Sequence, residues 1–208
     1  TDGVLQKRSI IITPLSDYTI APDTSLVVCS AAYVAPDTTI PVLSLAQALS
    51  DFVKERTVIA VAGVGGKTTT TAMLAAMFRS AGRDIGYYVG TSTIAGLSAP
   101  GASGTDPVYV TEADEYAISK TDSRPKFALL SPKIVITTNI VHDHPDIYPN
   151  VDATRNVFAE LINHLPSGGA WIYSSTDRLT QQILALQGET LKARGVKLIP
   201  YNLPNPPL

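Results

Sequence analysis

Val58-Ile-Ala-Val-Ala-Gly-Val-Gly-Gly-Lys-Thr-Thr-Thr-Thr71, running on into Ala72-Met-Leu-Ala-Ala-Met-Phe78, is the stretch whose reading decides the fold. Val58 to Ala62 are apolar throughout and predict a buried strand, a glycine-rich turn follows, and Lys67-Thr68 opens a helical pattern. In that helix Leu74, Met77, Phe78 and Ala81 form one expected core stripe, with Gly82 as its stop. Strand, glycine loop and helix in this order make a cradle for nucleotide phosphates. Gly65 and Gly66 leave room for backbone N–H groups to converge on phosphate oxygens. Lys67 then reaches the β- and γ-phosphates of ATP, and the Thr68 hydroxyl completes a Mg²⁺ shell. The usual phosphate-loop spacing would put a glycine where Val61 stands; here the pattern is the shorter Gly63-x-x-Gly66-Lys67-Thr68. The alternative is an ordinary strand-to-helix turn with a surface lysine, and the flanking strand and helix weigh against it.

The rest of the chain extends this motif into a sheet. Before it, Arg8–Ile12, Thr24–Cys29 and Ile40–Leu43 read as short strands. Ser44 caps a helix with Leu45, Ala48, Leu49, Phe52 and Val53 at helical spacing. That unit is too thin to bury a core alone. After the motif come strands at Gly86–Gly90, Pro107–Thr111, Lys133–Asn139, Ala170–Tyr173 and Val196–Ile199. A loop rich in Ser, Thr, Gly and Pro spans 91–107. One helix capped by Asp152 carries Val157, Phe158, Leu161, Ile162 and Leu165 on a single face. Another runs from about Thr176 to Leu186. The end from Pro200 is too proline-dense for a regular element. Apolar strands alternating with helices predict an α/β fold, a mostly parallel sheet with helices on both faces.

In such sheets ligands bind outside the carboxyl ends of the strands. The glycine loop, Glu112-Ala-Asp-Glu115 and His142-Asp-His-Pro-Asp146 all fall at predicted carboxyl ends, so they can share one ligand. ATP needs a divalent metal, and Mg²⁺ is content with one or two carboxylates and its own waters. Glu112 is the first candidate and Asp114 the second; a solvated acidic turn is the bland alternative. His142 and His144 with nearby aspartates could hold zinc, but ligands packed within five residues are hard to wrap tetrahedrally. Either histidine could equally be structural. His164 reads as a surface or capping residue.

A net charge of −2 and the lack of any lysine or arginine run argue against a basic nucleic-acid-binding surface. No apolar run approaches the roughly 18–20 residues of a membrane span. The single Cys29 has no internal disulfide partner, which suits a reducing cytoplasm. Thr1 stands where an initiator Met would, so the chain is expected to begin inside a longer product or after processing.

Three motifs in order, Gly63-Val-Gly-Gly-Lys-Thr-Thr69, Glu112-Ala-Asp-Glu-Tyr116 and Thr138-Asn-Ile-Val-His-Asp-His-Pro-Asp146, resemble the Mur ligase family of ATP-dependent amide-forming enzymes. Ser25–Ala32 and Ile40–Leu43 are similar to the end of that family's Rossmann-like UDP-binding domain. The resemblance implies part of that N-terminal domain over residues 1–56 and the central ATPase domain over 57–208. It leaves no room for the third, C-terminal domain. It implies a cytoplasmic enzyme of peptidoglycan precursor synthesis that couples an amine to UDP-N-acetylmuramate through an acyl phosphate. The amine is L-alanine in one branch and a whole tripeptide in the murein-recycling branch; Asp122–Phe127 and Asp143–Ile147 look similar to the second.

Carried over by position, the nucleotide is met by Gly63, Val64, Gly65, Gly66, Lys67, Thr68, Thr69 and Asn139. Lys67, Glu112 and His144 carry the chemistry. Thr68, Glu112 and His144 are the implied Mg²⁺ ligands, with His144 on a second ion. Two departures stand out. Val64 and Gly65 replace a Thr-His pair of the family branch. The position of a carbamylated lysine in several members is Phe158 or Ala159 here, as the alanine-adding branch also lacks it. Other readings are a non-catalytic nucleotide-binding module of the same fold and a general phosphate-loop kinase or NTPase.

Overall fold

A computed structural model describes residues 19–91 and 94–202 of the 208. The predicted strand at Arg8–Ile12 and the last residues of the proline-rich end lie outside the described residues.

The chain first forms β1 (Val27–Cys29) and β2 (Val42–Ser44), which pair in parallel as a small two-stranded sheet apart from the main one. β2 runs directly into α1 (Leu45–Val53) through a full capping box, in which Ser44 and Gln47 satisfy each other's backbone N–H groups. The helix stands where the sequence places it, but its face is turned. Ala46 and Val53 are the buried residues, while Leu45 and Phe52 are exposed. Phe52 makes an edge-on contact with Tyr109, 5.9 Å between ring centroids, and lies under the Arg56 guanidinium.

The main sheet has seven strands: β3 (Thr57–Ala62), β4 (Gly86–Tyr88), β5 (Gly101–Ala102), β6 (Val108–Glu112), β7 (Ile134–Thr137), β8 (Ala170–Ser174) and β9 (Lys197–Tyr201). Their order across the sheet is β5-β4-β6-β3-β7-β8-β9, and every pair is parallel except β4 with β5. β3 is central, and Val58 to Ala62 are all buried, as a strand covered on both faces requires. Alternate residues go to opposite faces. Val58, Ala60 and Ala62 join a core with Phe158, Ile162, Trp171 and Ile183, beneath α1, α3 (Val151–Asn163) and α4 (Arg178–Ala193). Ile59 joins Tyr87, Val110 and Ala75 beneath α2 (Lys67–Ser80). Helices on both faces of a mostly parallel sheet are the predicted architecture.

Several local expectations are corrected. On α2 the fully buried residues are Thr71 and Ala75, and Met77 is 64% exposed, because the helix packs its small residues close against the sheet. The loop before β6 contains the two-residue β5. α3 is capped by Asn150, whose side chain accepts the Ala153 N–H, and Asp152 sits in the first turn instead. α4 continues seven residues past the expected end, through Gly188, which is buried where the helix approaches Leu198. β9 includes Pro200, which an edge strand tolerates because its outer side needs no N–H donor. The predicted stop at Gly82 (φ +77°) and the face Phe158, Leu161, Ile162 and Leu165 are as read.

Candidate functional site

β3 is flanked by β6 and β7, and both run parallel to it. The carboxyl ends of all three strands therefore open onto one crevice. At the end of β3 the chain turns through Gly63 (φ +121°) and Gly66 (φ +86°), a backbone that L side chains rarely adopt. A Cβ on Gly63 would come within 2.3 Å of Thr138 Oγ1 and 2.5 Å of the Asn139 carbonyl oxygen. Glycine is thus needed there because the loop passes tightly against the end of β7.

The loop is then stapled to that end. Thr138 Oγ1 donates to the Gly65 carbonyl at 2.6 Å. Asn139 Oδ1 accepts the N–H of Val64 at 3.1 Å and of Gly65 at 2.8 Å. These two N–H groups, both on residues that the sequence reading gives to the nucleotide, face protein in this structure. The groups left for an anion lie one step further on. Gly66 caps α2 with no side-chain hydrogen bond, so the first N–H groups of the helix, on Lys67, Thr68 and Thr69, have no intrahelical partner. The positive end of the helix dipole adds to them.

Glu112, the last residue of β6, connects three elements. Its Oε2 accepts the Thr68 hydroxyl at 3.2 Å and its Oε1 accepts the Gly90 N–H at 2.6 Å. Asp114, the second carboxylate candidate, is instead paired with Lys126 at 2.7 Å.

Lys67 reaches a different carboxylate. Its Nζ lies 2.9 Å from both oxygens of Glu115, which is 2% exposed. Only Oε1 meets the ammonium in hydrogen-bonding geometry, and buried Oε2 has no hydrogen-bond partner among the described residues. The Glu115 carbonyl accepts the Tyr148 hydroxyl at 2.5 Å. Burial, reinforced by the charges of Glu115 and Asp114, pushes that hydroxyl up to about 12, so it stays a donor at neutral pH.

His144 comes to the same place, with Nε2 3.6 Å from Glu115 Oε1 and the ring on Tyr116 at 4.2 Å. Its φ of +56° is unusual for a side-chain-bearing residue. It is held by Ile147 and Tyr148, whose N–H groups both donate to its carbonyl at 2.9 Å. His142 turns away to Thr154 Oγ1 at 3.0 Å. The two histidines therefore part company, and no group of three or more His, Cys, Asp and Glu side chains converges on one point among the described residues. Of the two candidates for the lysine position, Phe158 is fully buried in the core and Ala159 is half-buried against it. His164 is the C-cap of α3.

Of the residues singled out in the sequence, Lys67, Thr68, Glu112 and Asn139 gather around the loop, while His144 joins through Glu115. Glu115 itself was legible only as one member of an acidic run. Its burial against Lys67 had no local signal beyond standing three positions past the strand-end carboxylate. The Thr68 hydroxyl and Glu112 carboxylate are hard oxygen donors side by side. These residues fit a magnesium ion that keeps waters and phosphate oxygens as its other ligands.

The sequence model of the Mur ligase middle domain matches residues 61–198. The UDP-N-acetylmuramate–L-alanine ligase of Renibacterium salmoninarum is 36% identical over 155 residues, 74% of this chain and 31% of that one. The UDP-N-acetylmuramate–L-alanyl-γ-D-glutamyl-meso-2,6-diaminoheptandioate ligase of Haemophilus influenzae is 36% identical over 135 residues, 64% of this chain and 29% of that one. Among solved structures, the murein peptide ligase of Psychrobacter arcticus superposes with a TM-score of 0.71 at 27% identity, over 95% of this chain and 44% of that one. The chain spans less than a third of the length of these two curated relatives.

Proposed function

The chain belongs to the Mur ligase family, and from that premise we propose that it supplies the ATP-binding centre of an amide-forming ligase of peptidoglycan precursor synthesis. Residues 57–208 are the ATPase unit, and the segment up to Arg56 belongs to the unit that meets the UDP-linked substrate. The observation that carries this reading is the junction of Thr68 with Glu112 and of Val64 and Gly65 with Asn139, which brings three separate motifs to one crevice.

In this reading the N–H groups of Lys67, Thr68 and Thr69 receive the phosphates, with the Lys67 ammonium on the β- and γ-phosphates. Thr68 and Glu112 would hold magnesium, with His144 on the side of a second ion; the metal offsets phosphate charge. Asn139 keeps the loop in shape. The substrate carboxylate takes the γ-phosphoryl group to give an acyl phosphate. The incoming amine then attacks that carbonyl through a tetrahedral intermediate and phosphate leaves. The residues here position and stabilise charge, and no protein nucleophile is required. The acceptor is UDP-N-acetylmuramate, and the amine is L-alanine or, as the second reading, the recycling tripeptide. Both kinds of relative are similar to this chain at 36% identity.

A nucleotide-binding module without turnover is the competing function, favoured by Val64 and Gly65, whose side chains offer phosphate no donor. Phosphate release from ATP, measured on the full-length protein with UDP-N-acetylmuramate and either amine, separates these readings. Release that depends on both substrates supports the ligase. Binding of Mg²⁺-ATP without any such release supports the module.

A further inference from the structure

Lys67 has two claims on it. The phosphate reading sends its ammonium to a nucleotide, yet here it is paired at 2.9 Å with Glu115, a carboxylate 2% exposed. Taking the ammonium away would leave a buried carboxylate without its counter-charge, which is strongly unfavourable. Nor can the Glu115 backbone shift to follow the lysine. The backbone of Glu115 is pinned by Tyr148 through its carbonyl, and by Phe127 N–H to Asp114 O and Lys126 N–H to Tyr116 O on either side. His144 Nε2, 3.6 Å away, is beyond good hydrogen-bond range and does not replace the ammonium. Meanwhile Oε2 is buried 2.9 Å from the ammonium with no hydrogen-bond donor aligned on it among the described residues, so it depends on that charge for compensation.

We propose that Glu115 is the resident counter-ion of Lys67 and makes nucleotide capture conditional on a divalent cation. Phosphate draws Lys67 off Glu115 only when a cation arriving with the nucleotide compensates the carboxylate. Glu115 is thus a positioning residue that keeps metal-free nucleotide from occupying the loop. This rests on the reading of Lys67 as a phosphate-binding residue.

The test is calorimetric titration of the full chain with ADP in chelator and with ADP plus Mg²⁺, for wild type and Glu115→Gln. The amide removes the charge that holds Lys67. Metal-free ADP should then bind Glu115→Gln at least about tenfold tighter than wild type, and the gain on adding Mg²⁺ should shrink by a similar factor. A variant that loses affinity equally in both conditions, or keeps the wild-type metal dependence, overturns the proposal.

A second measurement does not depend on that variant folding. Lys67→Met frees the carboxylate, so Mn²⁺ alone, followed by the resonance signal of the free ion, should bind it about fivefold or more tighter than wild type. Equal Mn²⁺ affinity overturns the proposal. Wild type that binds ADP under neither condition overturns the phosphate reading of Lys67, and this inference with it. Wild type that binds while Glu115→Gln leaves the metal dependence unchanged overturns the counter-ion role alone.

Discussion

The Thr68 hydroxyl donates to Glu112 Oε2 at 3.2 Å, joining the first turn of α2 to the end of β6 across 44 positions of sequence. Two oxygen donors meet where the helix dipole is positive and phosphate is expected. Replacing Thr68 by Val keeps the shape and deletes one donor. Contacts to charged partners are worth about 1.5–3 kcal/mol, so Mg²⁺-ATP should bind Thr68→Val roughly ten- to a hundredfold more weakly. Thr68→Ser should restore most of it. Calorimetry with a thermal melt as folding control makes the comparison; unchanged affinity in the valine variant would remove Thr68 from the site.

Gly63 and Gly82 both have positive φ but differ in surroundings. A methyl group at Gly63 collides with Thr138 and Asn139, whereas at Gly82 it meets nothing within 4 Å. Gly63→Ala should cost about 2–4 kcal/mol, combining backbone strain with overpacking. Gly82→Ala should cost only the left-handed conformation, about 1–2 kcal/mol. Urea unfolding of the two variants in parallel tests the difference, and equal losses would contradict the packing account of the loop.

Asn139 accepts two N–H groups of the loop through one oxygen. Asn139→Ala should strip the Gly65 N–H of its acceptor, while the Val64 N–H keeps the backbone carbonyl of residue 139 at 3.1 Å, so stability should fall by about 1–3 kcal/mol and the loop loosen at Gly65. Hydrogen exchange at the Gly65 amide should accelerate well beyond what the change in global stability accounts for, and more than at Val64. Protection equal to wild type would show that other contacts hold the loop.

Asp106 is held below the usual carboxylate range, first by hydrogen bonds from the Arg83 side chain and then by the Val108 N–H. A carboxylate whose folded pKa is depressed stabilises the fold above its unfolded value, about 4, and loses that contribution as pH falls through the folded value. Asp106→Asn should therefore melt below wild type at pH 6–7, with the gap closing below about pH 4. A gap that persists undiminished at pH 3 would mean that charge is not its origin.

Much of this molecule could be read along the chain. The run Val58–Ala62, the glycines after it and Lys67-Thr68 specify strand, loop and helix because each depends on neighbours only a few residues away. The same local logic put Glu112, Asn139 and His144 at or just past strand ends, and in a parallel sheet strand ends are where a ligand site forms. Where the reading slipped, packing overrode periodicity. Met77 is an apolar residue at helical spacing, yet α2 meets the sheet through Thr71 and Ala75. Pro200 belongs to β9 because the strand lies at an edge, a fact of sheet order that composition does not carry.

The phosphate loop itself shows the division. Sequence alone determined that Gly63–Thr68 is a strand-to-helix turn with a lysine and a hydroxyl at its exit, since backbone sterics and hydrophobic alternation are local. Only the tertiary structure decided what that loop leans on. Asn139 takes the N–H groups of Val64 and Gly65, and Glu115 takes the Lys67 ammonium. These contacts join residues 48 to 75 positions apart. They exist because β3 lies between β6 and β7, and no pattern of neighbouring residues encodes which buried carboxylate a distant lysine will meet.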